Sequence, residues 1–174
     1  CFSASAVARL VGDVHVVPEF LGNRAPLADP QAKALIAGIG MDSGTESLVG
    51  LYLAGLCGLG YGARQIVNVQ RSAGITTDTI VVSGGAGQSP LVRQVLADAT
   101  GLTVVASTSP EPVLLGAAIL GAVAAGFHTD IETAMSAMSE LGEVHPPDPS
   151  VETWHNDRFS SFEKLQAVGR EVTR

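Results

Sequence analysis

The sequence has little charge and almost no cysteine, and each shortage excludes a class of protein. Only 16% of its 174 residues are charged, and Asp and Glu outnumber Lys and Arg by 17 to 10. With a formal net charge of -7 and no basic cluster, the chain is not expected to bind nucleic acid or an anionic membrane through charge. Its two cysteines, Cys1 and Cys57, cannot build a disulfide framework, so we expect a reducing, cytoplasmic setting.

Hydrophobic runs long enough to span a membrane are also lacking. Two uncharged apolar stretches, 47–63 and 114–127, have 17 and 14 residues, whereas a helix across a bilayer needs about 20. We predict that both form buried helices, because a helix that is apolar on every side normally lies at the centre of its domain. The chain has neither an initial Met nor a signal-peptide pattern, and we expect it to be a piece of a longer protein.

Recognisable catalytic patterns are scarce as well. No catalytic triad and no metal-ligand spacing of Cys, His and carboxylates is legible. The histidines are interpreted as surface or turn residues: His15, His128, His145 and His155. The candidate general bases are few: Glu19, Asp29, Asp42 and Asp98. Structural pairing is the favoured role of Asp98, because it falls on the third turn of a predicted helix.

What the sequence does contain is an alternation of strand and helix patterns, which predicts an α/β fold. We expect strands over 11–20, 32–41, 78–85 and 102–107. We expect helices from Ser43 or Thr45 to Arg71 and over 88–101, 109–126 and 129–141.

The last thirty residues differ in composition from the rest. We predict a Pro-rich linker over 142–150. Beyond it, apolar residues roughly follow helical spacing: Trp154, Phe159, Phe162, Leu165 and Val168. We therefore divide the chain into a domain over 1–142 and a tail over 143–174, whose terminal helix docks on the domain.

Two stretches of the sequence each allow both a structural and a functional interpretation. Five glycines interrupt the predicted helix up to Arg71, and each costs about 1 kcal/mol relative to Ala. Close packing against another element is the favoured explanation, and a ligand against the helix face is the alternative.

The sequence DSGT at 42–45 imitates the phosphate turn of actin-like ATPases. A helix follows it instead of a hairpin strand, so we interpret it as a helix start.

The segment VVSGGAGQSP, 81–90, carries the strongest local signal for a ligand. It has neither the Lys-Ser/Thr ending of a P-loop nor the spacing of GxGxxG. Its glycines follow a strand and precede a helix that begins near Ser89, which places them at the carboxyl edge of a sheet, where α/β proteins bind ligands. A tight turn that needs positive φ is the alternative reading.

Four blocks in order carry a family resemblance. They are PEFLGNRAPLADPQAKALIAGIGMD (18–42), the long Gly-rich helix, IVVSGGAGQSPLVRQVLADATG (80–101) and PEPVLLGAAILGAVAAG (110–126). Together they resemble the C-terminal domain of the FGGY carbohydrate kinases, within the actin-like ATPases, and WHNDRFSSFEKL (154–165) is similar to the tail of the ribulokinase branch. The resemblance implies an actin-like, ribonuclease H-like domain with a mixed sheet flanked by helices and a C-terminal helical tail.

The resemblance also implies a site. The family's adenosine motif falls on six residues, whose main chain would line the adenosine and α-phosphate of ATP: Gly84, Gly85, Ala86, Gly87, Gln88 and Ser89. A loop of the family matches Gly22 to Pro26, where Asn23 replaces the usual acidic residue, and this departure leaves any role of that loop open.

For the whole protein, the resemblance implies an ATP- and magnesium-dependent kinase acting on a primary hydroxyl of a ribulose-like pentulose or polyol. Its catalytic base, phosphate turns and sugar pocket are expected in an N-terminal domain outside these 174 residues, so the chain alone is expected to be inactive. The family is often dimeric, which makes a homodimer a further expectation.

Two other readings remain open. The first is a non-catalytic, actin-like regulatory protein that binds a nucleotide or sugar. The second is a Rossmann-type binder, which is weakly supported because Ser107 and Thr108 stand where an acidic residue is required.

Overall fold

The computed structural model describes residues 3–172, except for the side chain of Ala86. The helices of this part are α1 (Ala4–Val11), α2 (Thr45–Ser72), α3 (Pro90–Thr100), α4 (Pro112–Ala124), α5 (Ile131–Met138) and α6 (Glu152–Val172). The strands are β1 (His15–Val17), β2 (Leu35–Ala37), β3 (Thr79–Val82), β4 (Thr103–Ser107) and β5 (Leu141–His145). Short 3-10 turns occupy Gly85–Gln88 and Pro149–Val151.

A mixed sheet positions the glycine turn. β3 and β4 run parallel, with Thr79 opposite Thr103 and Val82 opposite Ala106, and β5 pairs antiparallel with the other edge of β4. β1 and β2 form a separate antiparallel pair. The mixed α/β fold that was expected is therefore confirmed.

The predicted linker is wrong over its first residues. Residues 142–145 belong to β5, in which Val144 pairs with Val105 and His145 pairs with Val104. A short strand that contains glycine and glutamate has little intrinsic strand propensity, so its pairing with the buried strand β4 decides its conformation. The turn residues expected of a linker begin only at Pro146.

Helix α2 runs through the core, with Leu53, Cys57 and Tyr61 buried. Three of its glycines allow close approach. A Cβ at Gly50 would meet the carbonyl oxygen of Leu10, at Gly58 that of Val16, and at Gly60 the side chain of Ala99. Packing therefore explains these three glycines, as predicted, whereas Gly55 and Gly62 face open space.

Helix α6 lies on this core. Phe159 and Phe162 are buried against Tyr61, with ring centroids 6.1 and 5.7 Å from the tyrosine ring. The Tyr61 hydroxyl and Nδ1 of His155 are 3.0 Å apart, and the Arg158 guanidinium donates to the carbonyl groups of Gly12 and Val14. The helix is thus held by both aromatic packing and hydrogen bonds to the first fifteen residues.

Helix α4 does not have the surroundings that were predicted for it. Ile119 is its buried residue, whereas Val113, Leu114 and Leu120 are 81%, 65% and 57% exposed. The helix packs against α5 at the surface of the chain. The prediction of a buried helix over 114–127 is therefore wrong for this chain. None of the helices in the described part has the length and hydropathy of a membrane span.

Candidate functional site

The glycine turn joins β3 directly to α3. Gly84 has φ +78°, and its carbonyl oxygen accepts a hydrogen bond from the amide of Gly87 at 3.0 Å. Ser89 then caps α3, because its hydroxyl accepts from the amide of Val92 at 3.4 Å, and Pro90 occupies the first helical position. The turn therefore lies at the carboxyl end of a parallel strand and beside a helix N-terminus, as the sequence indicated.

The glycines of this turn have different reasons to be glycine. The positive φ of Gly84 strains any L side chain, and a Cβ at Gly87 would lie 2.8 Å from the carbonyl oxygen of Val82. Gly85 has neither constraint, since a Cβ there would meet no atom within 4 Å. Turn geometry explains Gly84 and Gly87 but leaves Gly85 unexplained.

A cleft of about 460 Å³ opens beside the turn. Gly84, Gly87 and Gln88 line one side, and the segment that follows β4 lines the other. This wall, from the last residue of β4 to the first residue of α4, contributes hydroxyl groups and prolines: Ser107, Thr108, Ser109, Pro110 and Pro112. Crevices outside the carboxyl ends of parallel strands are where open α/β sheets bind ligands. The cleft can therefore offer main-chain groups on one wall and hydroxyl groups on the other.

The six predicted nucleotide residues are distributed around this cleft unequally. Three of them line it, namely Gly84, Gly87 and Gln88, whereas Ser89 serves as the cap of α3. Gly85 lies exposed on the turn, and the side chain of Ala86 falls outside the described part of the chain. Nucleotide binding by these residues stays a prediction.

Two charged residues of the cleft were missed by the sequence analysis. Arg93 is 8% exposed, and its Nη1 donates to the carbonyl oxygen of Gly87 at 2.6 Å. Its Nη2 donates to Oε2 of Glu143 on β5 at 3.2 Å. Glu143 was assigned to the linker, so no signal pointed to this pair.

The candidate general bases have structural partners. Asp98 accepts from Nε2 of Gln94 and from the amide of Asp148, each at 2.8 Å. Burial raises the pKa of Asp98, and these two hydrogen bonds lower it in part. The structural pairing predicted for Asp98 is therefore confirmed.

The other candidates also lie away from the cleft. Glu19 accepts from Asn23 at 2.5 Å and from Gln166 at 2.7 Å, which gives Asn23 a role in shaping its own loop. Asp29 pairs with Nε of Arg170 at 3.2 Å. Asp42 precedes the N-terminus of α2, and its carbonyl oxygen accepts from the Ser47 hydroxyl at 3.0 Å.

The DSGT sequence forms a helix start, as predicted. α2 begins at Thr45 with Gly44 as its N-cap, so a helix occupies the place where the phosphate turn would be followed by a strand.

Within residues 3–172, no three His, Cys, Asp or Glu side chains lie close enough together to form a metal site.

The interpretation of the histidines as surface or turn residues is wrong for two of them. His145 and His155 are 7% and 3% exposed, because β5 and α6 turn them toward α3 and α2. Burial, together with the nearby positive charges of Arg158 and Arg64, lowers the pKa of His155 to about 4. His155 is therefore a neutral, hydrogen-bonded core residue.

The mixed sheet, with a glycine turn and a helix N-terminus at its parallel edge, has the fold of the actin-like ATPase class, which solved sugar kinases share. The same fold occurs in glycerol kinase from Plasmodium falciparum with ADP, at a TM-score of 0.68 and 20% identity. That match covers 94% of this chain and 34% of the kinase. At such low identity the likeness concerns the fold alone.

The sequence places the chain within this class. The model of the FGGY family of carbohydrate kinases, C-terminal domain, matches residues 2–125. The chain belongs to the FGGY family of carbohydrate kinases. It is 38% identical over 162 residues to an FGGY carbohydrate kinase domain-containing protein of Xenopus laevis, and 32% identical over 163 residues to a D-ribulokinase of Saccharomyces cerevisiae.

The chain is much shorter than these relatives. Each alignment covers 93% of this chain, but only 30% of the Xenopus protein and 21% of the yeast protein. The chain thus corresponds to about a third or less of a full-length member.

Proposed function

We propose that the chain is the nucleotide-binding C-terminal part of an ATP-dependent carbohydrate kinase. The observation that carries the proposal is the cleft between the glycine turn and the segment after β4, at the carboxyl edge of β3 and β4. The glycerol kinase structure with ADP supports it, because that protein has the same fold. In this proposal the cleft takes the adenosine and α-phosphate of ATP.

The residues present fit such a ligand. The exposed main chain of Gly84 and Gly85 has open space above it, which lets a flat ring approach the backbone. The N-terminus of α3 supplies amide groups and the positive end of its dipole for an anion. Thr108 and Ser109 line the opposite wall with hydroxyl groups. ATP bound here would supply the phosphoryl group, together with its magnesium ion, for a reaction outside this cleft.

The reaction of the whole kinase is the transfer of that phosphoryl group to a primary hydroxyl of a ribulose-like pentulose or polyol. The names of the relatives support the range: one is a D-ribulokinase and another a glycerol kinase. The sugar pocket and the catalytic base belong to the remaining two thirds of the kinase in this proposal. In this proposal the domain extends beyond the expected boundary at 142 to the end of β5 at 145, because β5 pairs with β4, and 146–174 form its tail.

We further propose that this remaining part covers apolar surfaces of the chain. Exposed apolar residues recur along one face of α2 at spacings of four, seven, seven and three: Leu48, Tyr52, Leu59, Ile66 and Val69. β3 has a strand partner on one side only within the described residues, and α4 exposes three large apolar residues. Contiguous exposed apolar faces normally mark interfaces. A second copy of the chain, as in a homodimer, is the competing occupant.

The proposal is tested in the complete kinase with Gly85→Val. The added side chain points into open space, so the fold is retained while close approach of a ligand to the turn is blocked. We expect ATP to bind about tenfold more weakly, measured by calorimetry, with unchanged thermal stability. Gly44→Val, at another exposed glycine with an extended backbone and open space around it, is the matched control.

Three results decide between these proposals and their alternatives. Phosphorylation of one member of a panel of pentuloses and polyols supports the kinase, whereas ATP binding without phosphorylation of any favours a regulatory relative. Sugar phosphorylation by the 174-residue chain alone would contradict the assignment of the catalytic base to the rest of the protein. Equal ATP affinity of Gly85→Val and the unmodified kinase would contradict the assignment of the turn.

A further inference from the structure

Arg93 places a buried positive charge directly behind the glycine turn. It is the fourth residue of α3, and its side chain lines the cleft although it is almost completely removed from solvent. Burial of a charge is costly unless hydrogen bonds and an opposite charge accompany it. A cation in the first turns of a helix is also disfavoured by the helix dipole. The position therefore needs an explanation from its contacts.

Those contacts join three elements. Nη1 donates to the carbonyl oxygen of Gly87 at 2.6 Å, within the glycine turn. Nη2 donates to Oε2 of Glu143 on β5 at 3.2 Å. The third nitrogen, Nε, is buried and has no hydrogen-bond partner among the described residues. The guanidinium is thus held by the turn on one side and by β5 on the other.

Glu143 is suited to share the charge of this arginine. Its carboxylate is 67% exposed at the cleft, and the same oxygen lies 3.3 Å from Nε2 of the buried His145. The histidine nitrogen lacks hydrogen-bond geometry to it, so the contact with Arg93 is the directional one. Glu143 therefore fixes the guanidinium from β5 without being part of the core itself.

We propose that Arg93 is a positioning residue for nucleotide binding. Its guanidinium holds the carbonyl oxygen of Gly87 and, through its contact with Glu143, couples the shape of the glycine turn to β5. From the strand side, the turn is confined by the Val82 carbonyl oxygen, which leaves no room for a side chain at Gly87. From the helix side, Arg93 supplies the second restraint. The inference rests on the proposed function, since it assigns the turn to ATP.

The test compares three variants of the complete kinase with a matched control. Arg93→Met keeps the aliphatic stem but removes both hydrogen bonds, and we expect the KM for ATP to rise about tenfold. The KM for the sugar and kcat at saturating ATP should stay within about twofold of the values of the unmodified kinase.

Arg93→Lys should recover only part of the loss, because a single ammonium cannot reproduce the fork of the guanidinium. Glu143→Gln should raise the KM for ATP about threefold. Arg71→Met, at an exposed arginine of α2, is the control.

A second measurement reads the turn itself. The amide of Gly87 donates to Gly84, and we expect its hydrogen exchange to be faster in Arg93→Met and Glu143→Gln than in the control. If Arg93→Met does not fold, Glu143→Gln decides, because its side chain is mostly exposed. An unchanged KM for ATP and unchanged exchange at 84–88 in the folded variants would overturn the inference. Failure of the unmodified kinase to bind ATP would instead overturn the proposed function.

Discussion

Helices α2 and α4 look alike in the sequence but have different surroundings in the chain. Both contain long uncharged stretches of apolar and small residues. One face of α2 is buried against α1, β1, α3 and α6, whereas α4 packs against α5 and exposes most of its apolar residues. Apolar composition thus indicates that a helix is suited to burial, but it does not identify the element that covers it.

The contrast continues within α2 itself. Its buried face carries Leu53 and the glycines that permit close approach, such as Gly58. Its opposite face carries exposed apolar residues and Gly62, which faces open space. α2 therefore combines a covered side like that of a core helix with an exposed side like that of α4. Substitutions on the two faces test whether the stability of the chain depends on this difference in burial.

The largest effect is expected at Leu53, which has no exposed surface. Leu53→Ala leaves a cavity between α2 and its neighbours and should lower the free energy of unfolding of the chain by about 2–5 kcal/mol. Leu59→Ala, on the exposed face of the same helix, should change it by about 0.5 kcal/mol or less. Urea unfolding of both variants measures the difference. Equal losses at the two positions would show that α2 does not have one covered face.

The second prediction concerns pH and the contact of α6 with α2. The pKa of His155 is lowered to about 4 in the folded chain, below the usual value of about 6.5. The unfolded chain therefore binds the proton first, and stability is lost as the pH falls from about 6.5 to 4. The loss from this group is up to about 3 kcal/mol.

His155→Gln is the matched variant, because an amide can still hydrogen-bond to the Tyr61 hydroxyl. The difference in unfolding free energy between the two proteins should shrink as the pH falls from 7 to 4. A constant difference across this range would mean that His155 has the same pKa in the folded and the unfolded chain, which would contradict its neutral state in the core.

Local patterns predicted the elements whose sequence matches their surroundings. α3 was predicted within two residues at each end, because Ser89, Pro90 and Gly101 have the conformations typical of helix ends. The place of the glycine turn followed in the same way from the strand before it and the helix after it. The family resemblance then supplied the nucleotide hypothesis, which the local sequence left open.

The features that sequence reasoning missed depend on contacts between distant segments. β5 forms because β4 offers an edge, and Glu143 reaches the cleft only as a result of that pairing. Arg93 faces the turn from a position that a helical pattern alone marks as one more residue of α3. His155 is buried by Tyr61, 94 positions away along the chain. None of these contacts can be predicted from the spacing of residues within a single helix or strand.

The smallest effect in this chain is expected on α4, at Leu120, and it bears most directly on the comparison of the two helices. In the 174-residue chain, Leu120→Gln should change the free energy of unfolding by about 0.5 kcal/mol or less, because the side chain is largely exposed. If the rest of the kinase covers α4, the same change in the complete protein places an amide in an apolar contact and costs about 1–3 kcal/mol. Ile119→Gln, at the buried neighbour, should be costly at both lengths. Denaturant unfolding of both lengths measures this, and an equally small effect of Leu120→Gln in the complete kinase would show that α4 stays exposed and would remove it from the proposed interface.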